Sequence, residues 1–256
     1  MELKATLCQL SPRWEDRHAN MQRIDHLLHR SAPDTDLILL PELFSTGFTM
    51  AVGSLAETME EGTVAWMRDV AVRHEAVVAG SIIIRESGKT YNRLVVMGPD
   101  GPIAVYDKRH LFRMGKENEH YSMGSERPVV KLGEWRICPL VCYDLRFPVW
   151  SRNRNEYDLL IYVANWPAAR RDVWTTLLKA RAIENSSYVI GVNRVGSDGS
   201  GITHEGGSVL VDFKGRVVEE LGCEEELRTV SMNLERLGEF RRKFPVHLDA
   251  DDFRVL

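Results

Sequence analysis

Short apolar runs alternate with polar segments along the chain, and the period of the apolar positions changes from one segment to the next. Residues 2–10 alternate apolar and polar and predict a strand. Met21, Ile24, Leu27 and Leu28 then recur at helical spacing through a polar stretch ending near Arg30. Asp36 opens an apolar run closed by Pro41 and Glu42, with no polar position inside it, as suits a strand buried on both faces. A helix from Thr63 to His74 leads into strand-like Ala76–Ile84. Gly88 and Asp100-Gly101 mark turns between further strand-like runs at Tyr91–Met97 and Ile103–Tyr106.

From Lys108 to Arg127 the periodicity is lost in a segment rich in Lys, Glu, His, Gly and Asn, which predicts a long loop. Long loops inside compact domains are often functional. Arg136–Cys142 is again strand-like, Tyr157–Asn165 reads as a buried strand, Trp174–Asn185 as a helix and Tyr188–Val195 as a strand. Gly207–Phe213 and Arg216–Leu221 flank Lys214-Gly215 as a hairpin, followed by a strand at Thr229–Asn233 and a helix near Leu234–Lys243. β-α-β steps mixed with hairpins predict an α/β fold with mixed sheets and helices outside. No linker, charge block, composition shift or internal repeat divides the sequence, so one domain over 1–256 is expected.

Composition narrows the function classes. Hydrophobic residues make up 44%, charged residues 27%, and the formal net charge is −4. Binding to nucleic acid or to an anionic membrane normally needs a basic surface, so neither partner is expected. The short basic runs Arg170–Arg171 and Arg241–Lys243 read as solvated helix faces. No apolar run approaches the ~20 residues that span a bilayer, and no apolar segment follows a basic start as in a secretory signal. A cytoplasmic location is the expectation. In that reducing compartment Cys8, Cys138, Cys142 and Cys223 are not expected to form a disulfide framework, and their spacings match no zinc motif. Each is either a small buried hydrophobe or a reactive thiol.

Three positions share one context, an apolar strand ending abruptly in a reactive side chain: Glu42, Lys108 and Cys142. Clefts form at strand ends along one edge of an α/β sheet, so the three can converge on one site. Singly, each has a structural alternative: a buried thiol, a turn or capping carboxylate, a solvated ammonium. Together they form a chemically complete set. Amide hydrolysis needs a nucleophile, a base that passes its proton to the departing amine, and a positive donor for the tetrahedral oxyanion. No Gly-x-Ser-x-Gly elbow is present and no histidine sits in a local protease signature.

Leu39-Leu40-Pro41-Glu42-Leu43-Phe44, Tyr106-Asp107-Lys108-Arg109-His110-Leu111-Phe112 and Val141-Cys142-Tyr143-Asp144-Leu145-Arg146-Phe147-Pro148 resemble, in order and spacing, the three signature segments of the nitrilase (carbon–nitrogen hydrolase) superfamily. Tyr162-Val163-Ala164-Asn165-Trp166 and Arg181-Ala182-Ile183-Glu184-Asn185 extend the resemblance, which runs from residue 2 to about 245. Within the superfamily the chain is most similar to the Nit-type omega-amidases, which release ammonia from 2-oxo dicarboxylate monoamides such as 2-oxoglutaramate or 2-oxosuccinamate. The resemblance implies a four-layer α-β-β-α sandwich, with Glu42 as base, Lys108 as oxyanion stabiliser and Cys142 as thioester-forming nucleophile. It also implies a second glutamate between the lysine and cysteine segments. Counted back from Gly124, Glu117 fits that place better than Glu119. Homodimers that continue the sandwich across a two-fold axis, and tetramers, occur among proteins of this type, so a homo-oligomer is expected.

The mechanism expected on this basis has Cys142 attack the amide carbonyl while Lys108 and the backbone N–H of Tyr143 hold the oxyanion. Glu117 orients the substrate amide and the Lys–Glu network, and the nearby ammonium favours the thiolate. These steps require no metal and no organic cofactor. Arg146, one turn after the nucleophile, suits bidentate pairing with a substrate carboxylate, with Arg113 and Lys116 in reserve; a structural salt bridge is the alternative role. Trp166 walls the pocket or packs the core. Rival readings are a nitrilase, an N-carbamoyl amidohydrolase, another amidase, or a non-catalytic scaffold, since the triad does not set specificity. A thiol redox role needs a resolving cysteine. Cys138 lies roughly 13 Å away along the strand at ~3.3 Å per residue, too far for a disulfide.

Overall fold

The computed structural model describes residues 1–60, 62–253 and 255. Its strands are β1 (Glu2–Gln9), β2 (Leu37–Leu39), β3 (Val77–Glu86), β4 (Lys89–Gly98), β5 (Gly101–Asp107), β6 (Val130–Leu132), β7 (Trp135–Val141), β8 (Leu159–Ala164), β9 (Tyr188–Asn193), β10 (Val195–Ser197), β11 (Thr203–Glu205), β12 (Val209–Val211), β13 (Val217–Glu220) and β14 (Glu226–Asn233). The helices are α1 (Arg17–Ser31), α2 (Val52–Leu55), α3 (Gly62–His74), α4 (Glu117–His120), α5 (Pro148–Ser151), α6 (Arg171–Asn185) and α7 (Leu234–Lys243).

Two six-stranded mixed sheets form the centre, in the orders β14-β1-β2-β3-β4-β5 and β13-β12-β9-β8-β7-β6. In the first, β1, β2 and β3 run parallel; in the second, β7, β8 and β9 do. The sheets face each other, with β1 against β9 and β4 against β7. Helices α1 and α3 cover the first sheet and α6 covers the second, which gives the α-β-β-α layering.

Alternation along the strands builds both interfaces. Leu37, Leu39, Val77 and Ala79 point between the sheets, whereas Ile38, Val78 and Ile82 meet Ile24, Leu28, Met67 and Val70 beneath the outer helices. The central β2 is buried along its whole length, and so it is apolar at every position. It is shorter than the run Asp36–Glu42 suggests, because Pro41 ends the ladder and the chain turns. On the opposite face, a Cβ at Gly191 would sit 2.5 Å from the Trp174 ring, so glycine lets α6 lie directly on β9.

The stretch 108–127 is mostly irregular, with a 3-10 turn at Arg113–Gly115 and α4 inside it. The hairpin β10–β11 between Asn193 and Val209 belongs to neither large sheet and lacks an apolar run that would announce it. No helix among the described residues is long and apolar enough to cross a membrane.

Candidate active site

Parallel strands place the reactive groups. Glu42 follows the carboxyl end of β2, Cys142 that of β7 and Asn165 that of β8, while Lys108 follows β5. Two sheets thus deliver their strand ends to one edge, where clefts open in α/β folds.

Local chemistry holds each in place. The turn carrying Glu42 is clamped by Ser81 on β3, whose Oγ accepts from Leu43 N at 2.9 Å and whose carbonyl accepts from Phe44 N at 3.3 Å. Leu43 takes a left-handed φ of 44° to make that turn. Lys108 is held by its backbone, its N–H donating to Asn92 O at 3.0 Å and its carbonyl accepting from Gly124 N at 3.1 Å. A Cβ at Gly124 would fall 2.1 Å from Asp107 O, so only glycine lets the returning loop press on this strand.

Cys142 has φ 43°, unusual for a residue with a Cβ, and opens the 3-10 turn Cys142–Arg146. Asp144 stabilises that elbow, accepting from Val141 N at 3.0 Å, from Tyr106 Oη at 2.7 Å and from His110 N at 3.0 Å. His110 Nδ1 lies 2.7 Å from the same carboxylate. Asp144 therefore ties the Lys108 segment of one sheet to the Cys142 elbow of the other.

The buried cluster is dense. Lys108 Nζ donates to Glu42 Oε1 at 2.8 Å and to Glu117 Oε1 and Oε2 at 3.0 and 2.9 Å, and all three side chains have no solvent exposure. Asn92 Nδ2 donates to Glu42 Oε1 at 2.9 Å and to Glu117 Oε1 at 3.0 Å. Glu42 Oε2 accepts from Asn165 N at 2.9 Å, and Glu117 Oε2 accepts from Phe112 N at 2.6 Å. Glu119, two residues along α4, is exposed and away from this cluster.

Electrostatics follow from burial and from the surplus carboxylate. Burial works against the Lys108 ammonium, but Glu117 and Glu42 outweigh it and hold its pKa well above the ordinary value. Burial and the Glu42 charge raise the Glu117 carboxyl above its usual range, although Lys108 pulls it down. Burial and then Glu42, which is hydrogen-bonded to the thiol, push Cys142 well up; Lys108 opposes this without reversing it. Lys108 favours the thiolate, as expected, but burial and Glu42 outweigh it. The low-dielectric site keeps Cys142 protonated, so a base is needed at the moment of attack.

A cleft of about 620 Å³ opens onto Cys142, Glu42 and Lys108. Tyr143, Arg146 and Trp166 line it. Arg146 is exposed, makes no ion pair among the described residues, and lies 5.5 Å from the centre of the Trp166 ring. The alternative of a structural salt bridge is therefore not what the fold uses it for. Trp166 is both wall and core: it lines the cleft while its ring meets Trp174 at 5.4 Å and its Nε1 donates to Arg170 O at 2.8 Å. Arg113 and Lys116 are exposed and do not line the cleft, whereas their neighbours Met114 and Gly115 do.

Several cleft residues were not singled out from sequence. Arg170 lies 5.4 Å from the Phe112 ring centre and brings to the cleft a second cation without an ion pair among the described residues. Asp198, Ser200, Ile202 and His204 arrive on the β10–β11 hairpin. Burial and neighbouring Arg194 hold the His204 imidazole down to about 4, so it is an uncharged wall near neutral pH. Asn165 carries one signal, a polar residue closing the apolar strand β8, whereas Asn92, set between Tyr91 and Arg93 on β4, carries none.

Comparisons with known proteins give the family. Residues 4–242 match the family model of carbon-nitrogen hydrolases. An omega-amidase YafV of Yersinia enterocolitica is 48% identical over 99% of both chains. A 2-oxoglutaramate amidase of Bacillus subtilis is 33% identical over 92% of this chain and 91% of its own. Among solved structures, XC1258 of Xanthomonas campestris, a CN-hydrolase superfamily protein with an arsenic adduct in its active site, superposes with a TM-score of 0.97 at 43% identity over 100% of both chains. The chain belongs to the carbon–nitrogen hydrolase family of the nitrilase superfamily. It is a hydrolase acting on C–N bonds in amides.

Proposed function

We propose that the chain is an omega-amidase that cleaves the terminal amide of a 2-oxo dicarboxylate monoamide, 2-oxoglutaramate or 2-oxosuccinamate, through a thioester on Cys142. The observation that carries the reading is the convergence, in one cleft, of the Cys142 thiol, the buried Glu42 carboxylate beside it and two arginines that make no ion pair among the described residues. Glu42 takes the thiol proton as Sγ attacks the amide carbon, and Lys108 with the backbone N–H of Tyr143 receives the oxyanion. The tetrahedral centre collapses, the C–N bond breaks, and the proton held by Glu42 leaves with ammonia. Water then attacks the thioester as Glu42 accepts its proton, and the acid departs as the thiol is restored. Glu117 holds Lys108 in place and orients the amide. Each step closes on this chain's own groups.

Arg146 and Arg170 serve the substrate's far carboxylate. The names carried by the Yersinia and Bacillus relatives support the same substrate class. A panel of small amides, nitriles and carbamoyl compounds scored for ammonia release tests the assignment: carboxylate-bearing amides should be preferred over neutral amides of equal length. No preference would leave only a general amidase.

The protein is further proposed to work in the cytoplasm as a homodimer or homotetramer. All four cysteines are free, which supports a reducing compartment. Val149 on α5 and Ile183 on α6 are each 57% exposed, apolar surface that a second copy would cover. A monomeric mass by sedimentation at micromolar concentration would overturn the assembly.

A further inference from the structure

Asn92 takes no part in the mechanism above, yet it touches every member of the buried cluster beside the thiol. It lies on β4 with no solvent exposure and does not line the cleft. Its Nδ2 donates to Glu42 Oε1 at 2.9 Å and to Glu117 Oε1 at 3.0 Å, and its main-chain oxygen accepts from Lys108 N at 3.0 Å. Its own Oδ1 is buried without a hydrogen-bond partner among the described residues. Turning the amide over would aim that oxygen at two carboxylate oxygens, so the orientation is forced and the unpaired acceptor is its consequence.

Counting donors shows what the amide supplies. Two carboxylates share one ammonium in a site with no water-exposed member. The ammonium has three protons. One goes to Glu42, and the Glu117 fork takes another, leaving one for a substrate oxyanion. Asn92 adds the further hydrogen bonds that two adjacent anions need, without adding charge. It also fills the second acceptor position on Glu42 Oε1. Asn165 N takes one position on Oε2, so the open lone pair of Glu42 lies on Oε2.

We infer that Asn92 is a positioning residue for amide hydrolysis: its amide nitrogen bridges Glu42 and Glu117, so that Lys108 keeps a proton for the oxyanion and Glu42 keeps one oxygen for the thiol. This rests on the reading of Glu42 as base and Cys142 as nucleophile. A cation at this position would overcompensate the pair and weaken the base. An apolar side chain would leave Lys108 to satisfy both anions alone. Because Asn92 stays out of the cleft, its loss falls on the chemical step and not on substrate binding.

Steady-state ammonia release from succinamate by purified Asn92→Leu and Asn92→Asp enzymes tests this, with melting curves to verify folding. Asn92→Leu is expected to lower kcat by about a hundredfold, as for a misplaced catalytic group, with KM within about threefold of wild type. Asn92→Asp has nearly the native shape but an acceptor in place of the double donor, and should lose at least as much. If Asn92→Leu does not fold, Asn92→Asp decides. A folded variant keeping more than about a third of wild-type kcat, or losing efficiency through KM alone, would overturn the inference. Cys142→Ala run beside them separates the two levels: activity there would sink the site assignment itself, whatever Asn92 does.

Discussion

Lys108→Met removes the cation that Glu42 and Glu117 share. Three contacts of 2.8, 3.0 and 2.9 Å disappear, and two carboxylates remain in a place without solvent. Truncating one partner of a buried ion cluster typically costs about 3–5 kcal/mol. At roughly 2–4 °C per kcal/mol for a protein of this size, the melting temperature should fall by about 10 °C. The loss must also depend on pH. The Glu117 carboxyl already sits above its usual range, and Lys108, ahead of the Phe112 N–H, is the main group that draws it down. Without the lysine it rises further.

A carboxyl whose folded pKa exceeds its unfolded value destabilises the fold when ionised, because the native state binds the proton more tightly. Stability then falls as pH rises through the window between the ordinary carboxylate value of 4.5 and the raised one. The deficit of Lys108→Met is therefore largest at and above neutral pH and shrinks on acidification, as Glu117 takes up a proton. Thermal unfolding of wild type and variant at several values between about pH 5 and 8 measures it. A deficit below about 1 kcal/mol, or one that grows on acidification, would refute the reasoning.

Two further substitutions separate the proposed roles. Glu42→Gln should lower single-turnover ammonia release by about 10²–10⁴-fold, because one base serves acylation and deacylation; a normal burst would remove Glu42 from the first step. Arg146→Met should cost about 1.5–3 kcal/mol of kcat/KM on 2-oxoglutaramate or succinamate, the worth of a charge-assisted hydrogen bond, and much less on a neutral amide. Adding Arg170→Met should deepen the selective loss, and equal losses on both substrates would give Arg146 a structural part only.

The layered fold was readable because its strands advertise themselves: β2, β3, β7, β8 and β9 are buried on both faces and so nearly continuous in apolar residues. Glu42 and Cys142 stand out as the first reactive groups beyond such runs, whereas Lys108 follows β5, a largely exposed strand that ends in Asp107. Harder to read were groups whose role arises only when distant segments meet. Asn92 carries no local pattern, Asn165 only that of a polar residue closing an apolar strand, and Arg170 sits in a basic pair that looks like a solvated helix face. The β10–β11 hairpin is short and polar, although it supplies one wall of the cleft. For the Cys142 thiol, sequence shows the lysine that favours the thiolate but neither the depth of burial nor the Glu42 carboxylate that outweigh it.

The central claim is that Cys142 is the nucleophile, and Cys142→Ala tests it most directly. Removing one sulfur beside the cleft leaves a small void, so the melting temperature should stay close to that of wild type. Ammonia release from 2-oxoglutaramate or succinamate should disappear, and the variant should accumulate no covalent acyl adduct by intact-protein mass spectrometry. A pure, folded Cys142→Ala enzyme that retains even about a tenth of wild-type turnover would contradict the account, because no other thiol lines the cleft.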